Sequence, residues 1–290
     1  MEMQRWRLLG TVLIILLCWH AVLPVAANGQ PEVFVVNVKG EIDDGQVSLV
    51  HRALAAAERQ QARAIILELD TFGGLMDSAV KIRDMIMEAP LPTICYVKNR
   101  AWSAGALIAL AHEHIAIAPG GSIGAAEPIP ATEKTIAAVK AEFAATANKR
   151  NRDTRVAEAM VDKTLGFSGY AAPGQILALT DYQALEVGYA ELVAPDRQAV
   201  LTHYGLKDLP VVEFIPEWSD RLAGFLSQPA VKSLLLSIIF VALMTEIKTA
   251  GMGVAAAIGV LAALLFFGSQ WLTGLAGWWE VLLFLAGIAL

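Results

Sequence analysis

The chain has 290 residues, of which 56% are hydrophobic, and a net charge of −6. That hydrophobic share exceeds the roughly 45–50% usual for soluble domains. The acidic balance and the lack of a long basic run exclude a nucleic-acid partner, because phosphate binding needs a basic surface. The two cysteines, Cys18 and Cys95, form no C-x-x-C pair and no zinc-spaced Cys/His cluster, and no metal site is expected.

The amino terminus reads as a secretion signal. Arg5 and Arg7 form a charged start, Leu8 to Trp19 an apolar stretch, and Val25-Ala26-Ala27 a small-residue cleavage site before Asn28. A signal peptide over residues 1–27 is therefore expected, with an uncleaved anchor helix as the alternative. Either way the next domain is expected on the extracytoplasmic side.

From Pro31 the pattern becomes that of a soluble α/β domain, residues 31–208. The Val-rich run from Val33 to Val38 predicts a buried strand, and Val47, Val50, Leu54 and Ala57 recur at helical spacing. Ala64 to Leu69 predicts a second strand, which Gly73-Gly74 breaks before a helix carrying Met76, Val80, Ile82, Met85 and Ile86. Thr93 to Val97 and His114 to Ala118 predict two more strands. The alternation implies β-α-β units and a mostly parallel sheet. A polar helical region follows from about Ala131 to Lys163, then a strand, a short helix and a last strand ending at Val193.

Residues 209–229 read as a connector. Within it Glu217 to Leu226 predicts an amphipathic helix, with Trp218, Leu222, Phe225 and Leu226 on one side, lying near a membrane surface. Residues 230–290 read as a transmembrane region. Residues 230–244 and 250–267 are apolar and close to the roughly 17–25 residues a span needs, and Lys248 lies in the short linker between them. Positive linkers stay cytoplasmic, so residues 31–229 are expected outside and Lys248 inside. A third apolar stretch follows Trp278-Trp279-Glu280, and it reads as a span in which the chain stops short.

Three features bear on chemistry. Asp70 to Leu75 is a strand end with two glycines, whose backbone N–H groups could hold an oxyanion; a purely structural turn is the alternative. Ser103, in Ala101-Trp102-Ser103-Ala104-Gly105-Ala106, sits where a strand enters an apolar helix. That place suits a nucleophile, and equally an N-cap serine. A nucleophilic serine needs a base. His112 and His114 fall at the far end of the Ser103 helix, His51 lies on an early helix and His203 in the stretch from Asp196 to Asp208 that ends the domain. A lysine of lowered pKa is the other route, with Lys134, Lys140, Lys149 and Lys163 as candidates.

The segments Glu41-Ile42-Asp43, Asp70 to Leu75, Ala101 to Leu110 and Ala118 to Ala125, in this order, resemble the amino-terminal protease domain of the NfeD family, membrane-bound relatives of the Clp protease. The resemblance implies a Clp protease/crotonase-like α/β domain followed by C-terminal transmembrane helices. It implies a serine protease with a Ser–Lys dyad, carried here by Ser103 and Lys134. Gly73 and Gly74 are then the oxyanion hole, with the Ala104 N–H as a third donor. The histidine that Clp places after its Gly-rich turn is absent, since Ala126-Glu127-Pro128 stands there. Phe72 departs from the family, which more often has Pro at that place. No metal or organic cofactor is implied. A stomatin-like membrane protein is the implied partner and substrate, cleaved in a hydrophobic segment; membrane lipid and a homo-oligomer are expected too. Two rivals are a scaffold that binds a stomatin-like protein without cutting it, and a crotonase-type acyl-CoA enzyme, which export from the cytoplasm disfavours.

Overall fold

The computed structural model describes residues 31–248 and 253–272. The expected signal peptide and the apolar stretch after Trp278 lie outside these residues.

Strand β1 (Val33–Ile42) and strand β2 (Ala64–Gly74) pair in parallel, and β3 (Thr93–Trp102) extends the same sheet. Helices α1 (Asp44–Arg59) and α2 (Met76–Glu88) make the crossovers. Asp43 caps α1, its carboxylate accepting from the Gln46 N–H at 3.0 Å. Helix α3 (Ala104–Ala111) follows β3 directly and is buried on every side, as its uninterrupted small apolar sequence dictates.

Strand β3 divides its two ends. Ile94 to Val97 pair with β4 (His114–Ile117), whereas Arg100 to Trp102 pair with β5 (Ser122–Gly124). Strand β6 (Ala178–Thr180) joins β5 antiparallel, the one departure from the parallel pattern among the described strands. Strand β7 (Leu192–Val193) adds to β4, and β8 (Val211–Phe214), from the stretch read as connector, adds to the free edge of β1.

Both faces of the sheet are covered, which explains why its strands read as continuous apolar runs rather than alternating ones. Phe34, Val36, Ile65, Leu67, Cys95 and Val97 point to one core, shared with α1, α2 and α3. Val33, Val35, Ile66, Ile94 and Tyr96 point to the other, closed by Val200 and Leu201 of α7 (Arg197–His203). On this second side Glu68 is fully buried. Burial opposes its ionisation, but Arg197 at 2.6 Å and Lys98 at 3.2 Å outweigh that and hold its carboxyl below the ordinary value.

The polar region expected as one helical stretch is two helices, α4 (Glu133–Lys149) and α5 (Thr154–Val161). Helix α6 (Asp181–Glu186) follows β6.

Helix α8 (Trp218–Ser227) lies against α1. Two glycines set the distance: a Cβ on Gly45 would come within 2.4 Å of the Asp220 carbonyl oxygen, and one on Gly224 within 2.5 Å of the Asp43 carboxylate. Arg52 clasps the pair through Asp220 at 2.5 Å and Glu217 at 2.9 Å. Trp218, Leu222 and Phe225 face outward as expected, but Leu226 does not join them. It is buried with Leu235 and Ala262, because the last turn of α8 meets the apolar helices that follow.

Those helices are α9 (Pro229–Lys248) and α10 (Val254–Leu272), packed on each other. Gly259 permits close approach, since a Cβ there would meet the Ala242 Cβ at 2.8 Å. Residues Pro229–Glu246 are long and apolar enough to cross a bilayer by length and composition; Val254–Gly268 is a shorter apolar helix. Leu234, Phe240, Val241, Leu261 and Leu264 all project outward.

Candidate active site

Ser103 stands at the carboxyl end of the parallel sheet, the edge where α/β folds gather their ligands. Its backbone has φ 51° and ψ −119°, a conformation costing a non-glycine residue about 1–3 kcal/mol. Sharp, strained strand-to-helix turns of this kind expose a nucleophilic hydroxyl. The turn is held from both sides. The Ser103 N–H donates to the Gly124 carbonyl of β5 at 2.9 Å, and the Ala106 N–H donates to the Ser103 carbonyl at 2.9 Å. An N-cap serine would use its hydroxyl to satisfy an early helical N–H. The Ser103 hydroxyl makes no such bond, so capping does not account for the residue.

The Gly73-Gly74 turn lies directly against it. A Cβ on Gly73 would sit 2.7 Å from the Ser103 Cβ and 3.1 Å from its Oγ. Gly73 has φ 122°, so both space and conformation demand glycine. Gly74 faces β1 instead, where a Cβ would meet the Ile42 carbonyl oxygen at 2.3 Å.

Thr71, which sequence reading passed over, organises this turn. Its hydroxyl donates to the Gly40 carbonyl at 2.5 Å and accepts the Gly73 N–H at 2.9 Å. The Gly73 donor is therefore engaged here, and only exchange of that bond would release it to an oxyanion. The Thr71 Cγ2 also occupies the space above Gly105, at 2.4 Å from where a Cβ would be, so α3 seats closely on the end of β2.

The far end of α3 is fixed by two arginines that the sequence did not single out. Arg150 Nε donates to the Ala111 carbonyl at 2.6 Å, and Arg152 Nη1 donates to those of Leu110 and His112 at 3.1 and 3.0 Å. Cations at a helix carboxyl end satisfy its last carbonyls and oppose its dipole. His112 itself is fully buried. Its Nδ1–H donates to the Ile108 carbonyl at 2.9 Å, and burial pulls its pKa down to about 3. It is neutral, and it closes the end of α3 opposite to Ser103.

Among the lysines, Lys140 is bound to Asp162 at 2.8 Å, and Lys163 to Glu127 at 2.8 Å. The Lys140 ammonium, helped by the Thr164 hydroxyl, holds the Asp162 carboxyl down to about 2. Lys149 ends α4, roughly 22 Å from Lys134 by helical rise. Lys134 is exposed on the first turn of α4, and its side chain makes no hydrogen bond or ion pair among the described residues, with Ser103 or otherwise. Glu133 is exposed.

A rim of larger side chains flanks the serine. Phe72 and Trp102 meet edge to face with centroids 5.5 Å apart, and the Arg100 guanidinium lies 4.3 Å above the Phe72 ring. The Trp102 Nε1–H donates to Ser122 Oγ at 2.8 Å.

Known proteins share this fold. A family model described as the NfeD1b N-terminal domain matches residues 32–214, and one described as the NfeD integral membrane domain matches residues 230–290. The membrane protein NfeD1b of Bacillus subtilis (strain 168) is 36% identical over 295 residues, covering 99% of this chain and 66% of its own length. The membrane-bound protease PH1510 of Pyrococcus horikoshii is 31% identical over 262 residues, covering 80% of this chain and 57% of its own. The chain thus spans just under two thirds of the one relative and just over half of the other. Two solved structures of the 1510-N membrane-bound stomatin-specific protease superpose on it. A serine-to-alanine mutant gives a TM-score of 0.58 at 29% identity, covering 65% of this chain and all of that one. A lysine-to-alanine mutant in complex with a substrate peptide gives 0.59 at 28%, covering 69% and 99%. The fold class expected from the sequence, a Clp-like α/β domain followed by apolar helices, is the one observed. On the family matches and the two curated relatives, the chain belongs to the NfeD family.

Proposed function

We propose that the chain is a membrane-anchored serine endopeptidase in which Ser103 is the nucleophile and Lys134 the base. One observation carries the reading: Ser103 is held in a strained turn at the sheet edge, its hydroxyl against Gly73 and without a hydrogen bond among the described residues. Strain kept at a position where glycine would fit without it argues for a side chain needed in its own right.

In this mechanism Ser103 Oγ attacks the scissile carbonyl carbon and its proton passes to the neutral Lys134 amine. The oxyanion is held by backbone donors of Gly73 and Gly74, the former after exchanging its bond to Thr71, with the Ala104 N–H as a third donor. The tetrahedral intermediate collapses, the C–N bond breaks, and Lys134 returns the proton to the leaving amine. Water then hydrolyses the acyl-enzyme by the same steps. The exposed Lys134 must be desolvated before it can act, and a bound peptide over the site would do that. That a relative was captured with a substrate peptide as a lysine-to-alanine mutant supports a lysine in this role. The relative's stomatin specificity supports a hydrophobic segment of a stomatin-like protein as substrate. Residues 1–27 serve as the signal peptide, residues 31–208 as the protease domain and residues 209–229 as the connector. Residues 230–290 make a multi-pass anchor, with the protease domain outside the cytoplasm, lipid around the anchor, and self-association of the chains.

A scaffold that binds without cutting is the second reading, favoured by the engaged Gly73 N–H and the solvated Lys134. The two separate in one experiment on the full chain in detergent micelles. A fluorophosphonate probe should label Ser103, and the chain should cut a stomatin-tail peptide, with both lost in Ser103→Ala. Peptide binding without labelling or cleavage would establish the scaffold instead.

A further inference from the structure

We propose that Phe72, Arg100 and Trp102 form a substrate subsite that takes a carboxylate beside the Ser103 hydroxyl. This deepens the reading of Ser103 as the nucleophile, and rests on it for the direction in which a peptide lies.

Arg100 and Trp102 are two apart on β3, so both leave the same face of the sheet. The register Thr71 with Ala101 sets Phe72 beside Trp102 on that face, while Thr71 and Ala101 turn into the core. The indole is immobilised by its bond to Ser122 Oγ and by the pairing of Trp102 with Gly124. The guanidinium is then laid over the aromatic pair, 4.3 Å from the Phe72 centroid and 5.8 Å from that of Trp102. A cation held over a ring face is fixed without spending its N–H groups on a hydrogen-bond acceptor.

Nothing among the described residues uses those donors. Arg52, Arg83, Arg150, Arg152, Arg155 and Arg197 each pair with a carboxylate, whereas the Arg100 guanidinium, like those of Arg59, Arg63 and Arg221, has no ion pair or hydrogen bond among the described residues; of these four, Arg100 alone lies over the Phe72 ring beside Ser103. Of the two acidic residues on the neighbouring strand, Asp70 accepts from Asn99 Nδ2 at 2.9 Å and Glu68 pairs with Arg197 and Lys98. Phe72 is 67% exposed, a large apolar surface left to water beside a reactive group. An apolar peptide carrying one acidic group answers both facts. Its apolar side chains cover the Phe72 ring, and its carboxylate takes the guanidinium's paired donors in the bidentate geometry arginine favours. That carboxylate belongs either to an Asp or Glu side chain or to a free peptide terminus.

The test uses the full chain in detergent micelles. Matched apolar peptides carry Glu, Gln or Lys at each position flanking the cleaved bond, each with a free or an amidated carboxyl terminus. The wild type is expected to prefer Glu over Gln at one position by about tenfold or more in kcat/KM, chiefly through KM, the size of a hydrogen bond to a charged group. Preference for the free over the amidated terminus would locate the carboxylate there instead. Arg100→Gln should abolish the preference and Arg100→Glu should turn it toward Lys. Phe72→Ala should weaken it by freeing the guanidinium. Fluorophosphonate labelling of each variant reports separately whether the nucleophile is intact. Labelled variants with the wild-type preference would overturn the subsite. If the wild type is not labelled at all, the nucleophile reading fails, and peptide affinity for Ser103→Ala decides the subsite alone: an equal Kd for Glu and Gln peptides would sink it.

Discussion

Gly73→Ala is the sharpest perturbation of the proposed site. The added methyl would begin 2.7 Å from the Ser103 Cβ. Carbon atoms in contact rest about 3.5–4.0 Å apart, so the two strand ends must separate by roughly 1 Å. A displacement of that size at a reacting centre costs about 10²-fold in rate, or about 2.7 kcal/mol of barrier. The substitution also forces alanine to φ 122°, a left-handed conformation costing roughly 1–2 kcal/mol of stability. Gly120→Ala separates the two effects. Gly120 has φ 78°, and its Cβ would meet nothing within 4 Å, so it carries the conformational cost without touching Ser103. Both variants should melt lower than the wild type, while only Gly73→Ala should lose the rate of fluorophosphonate labelling. Equal labelling rates in the two variants would refute the contact between the glycine turn and the serine.

Ser103→Ala should abolish turnover at a stability within about 0.5 kcal/mol of the wild type, because no capping bond is lost, and Ser103→Gly should melt no lower than Ser103→Ala since glycine accepts φ 51° without strain; a cap-sized loss in thermal unfolding would contradict this. Lys134→Ala should lose peptide hydrolysis with an unchanged melting temperature, and Lys134→Arg should not restore it, as guanidinium stays protonated; hydrolysis surviving in Lys134→Ala would move the base elsewhere. His112 has a native pKa lowered from 6.5 to about 3, so its contribution to stability is full above 6.5 and is lost as pH falls toward 3. Denaturant titrations of His112→Phe should accordingly show a shallower loss over that window, while a parallel loss would mean that the imidazole charges freely. Asp162, lowered from 3.8 to about 2, behaves oppositely in charge but alike in direction: the stability gap between wild type and Lys140→Ala should be full above pH 3.8 and close as pH falls through about 2.

The long strands were legible because both sheet faces are buried, which leaves a run such as Val33 to Val38 apolar throughout. Strands β5 and β8 were not: Ser122–Gly124 is three residues long, and Val211–Phe214 is a half-exposed edge whose place depends on β1. Ser103 was legible as a strand-to-helix serine, but its φ of 51° and its lack of a capping bond are revealed by no composition. Thr71 was missed because its role comes from a register shift between β2 and β3, which turns an ordinary strand threonine under the glycine turn. Arg150 and Arg152 lie 39 or more residues from the carbonyls they bind, beyond any local pattern. The alternation of Arg100 and Trp102 was present in the sequence, yet only pairing with β2 brings Phe72 to them.

On the proposed function, the bracing of α8 against α1 limits where a substrate can be met. Gly45 and Gly224 leave no play between the two helices, and Gln228 alone separates the end of α8 from the start of α9. A tether of one residue has no slack and gives the domain no radius through which to swing. On the membrane reading, Ser103 is therefore carried at a constant height over the point where α9 enters the bilayer. If the chain is the protease proposed above, a peptide is measured by its distance from the membrane as well as by its side chains, and a correct sequence presented at the wrong depth goes uncut.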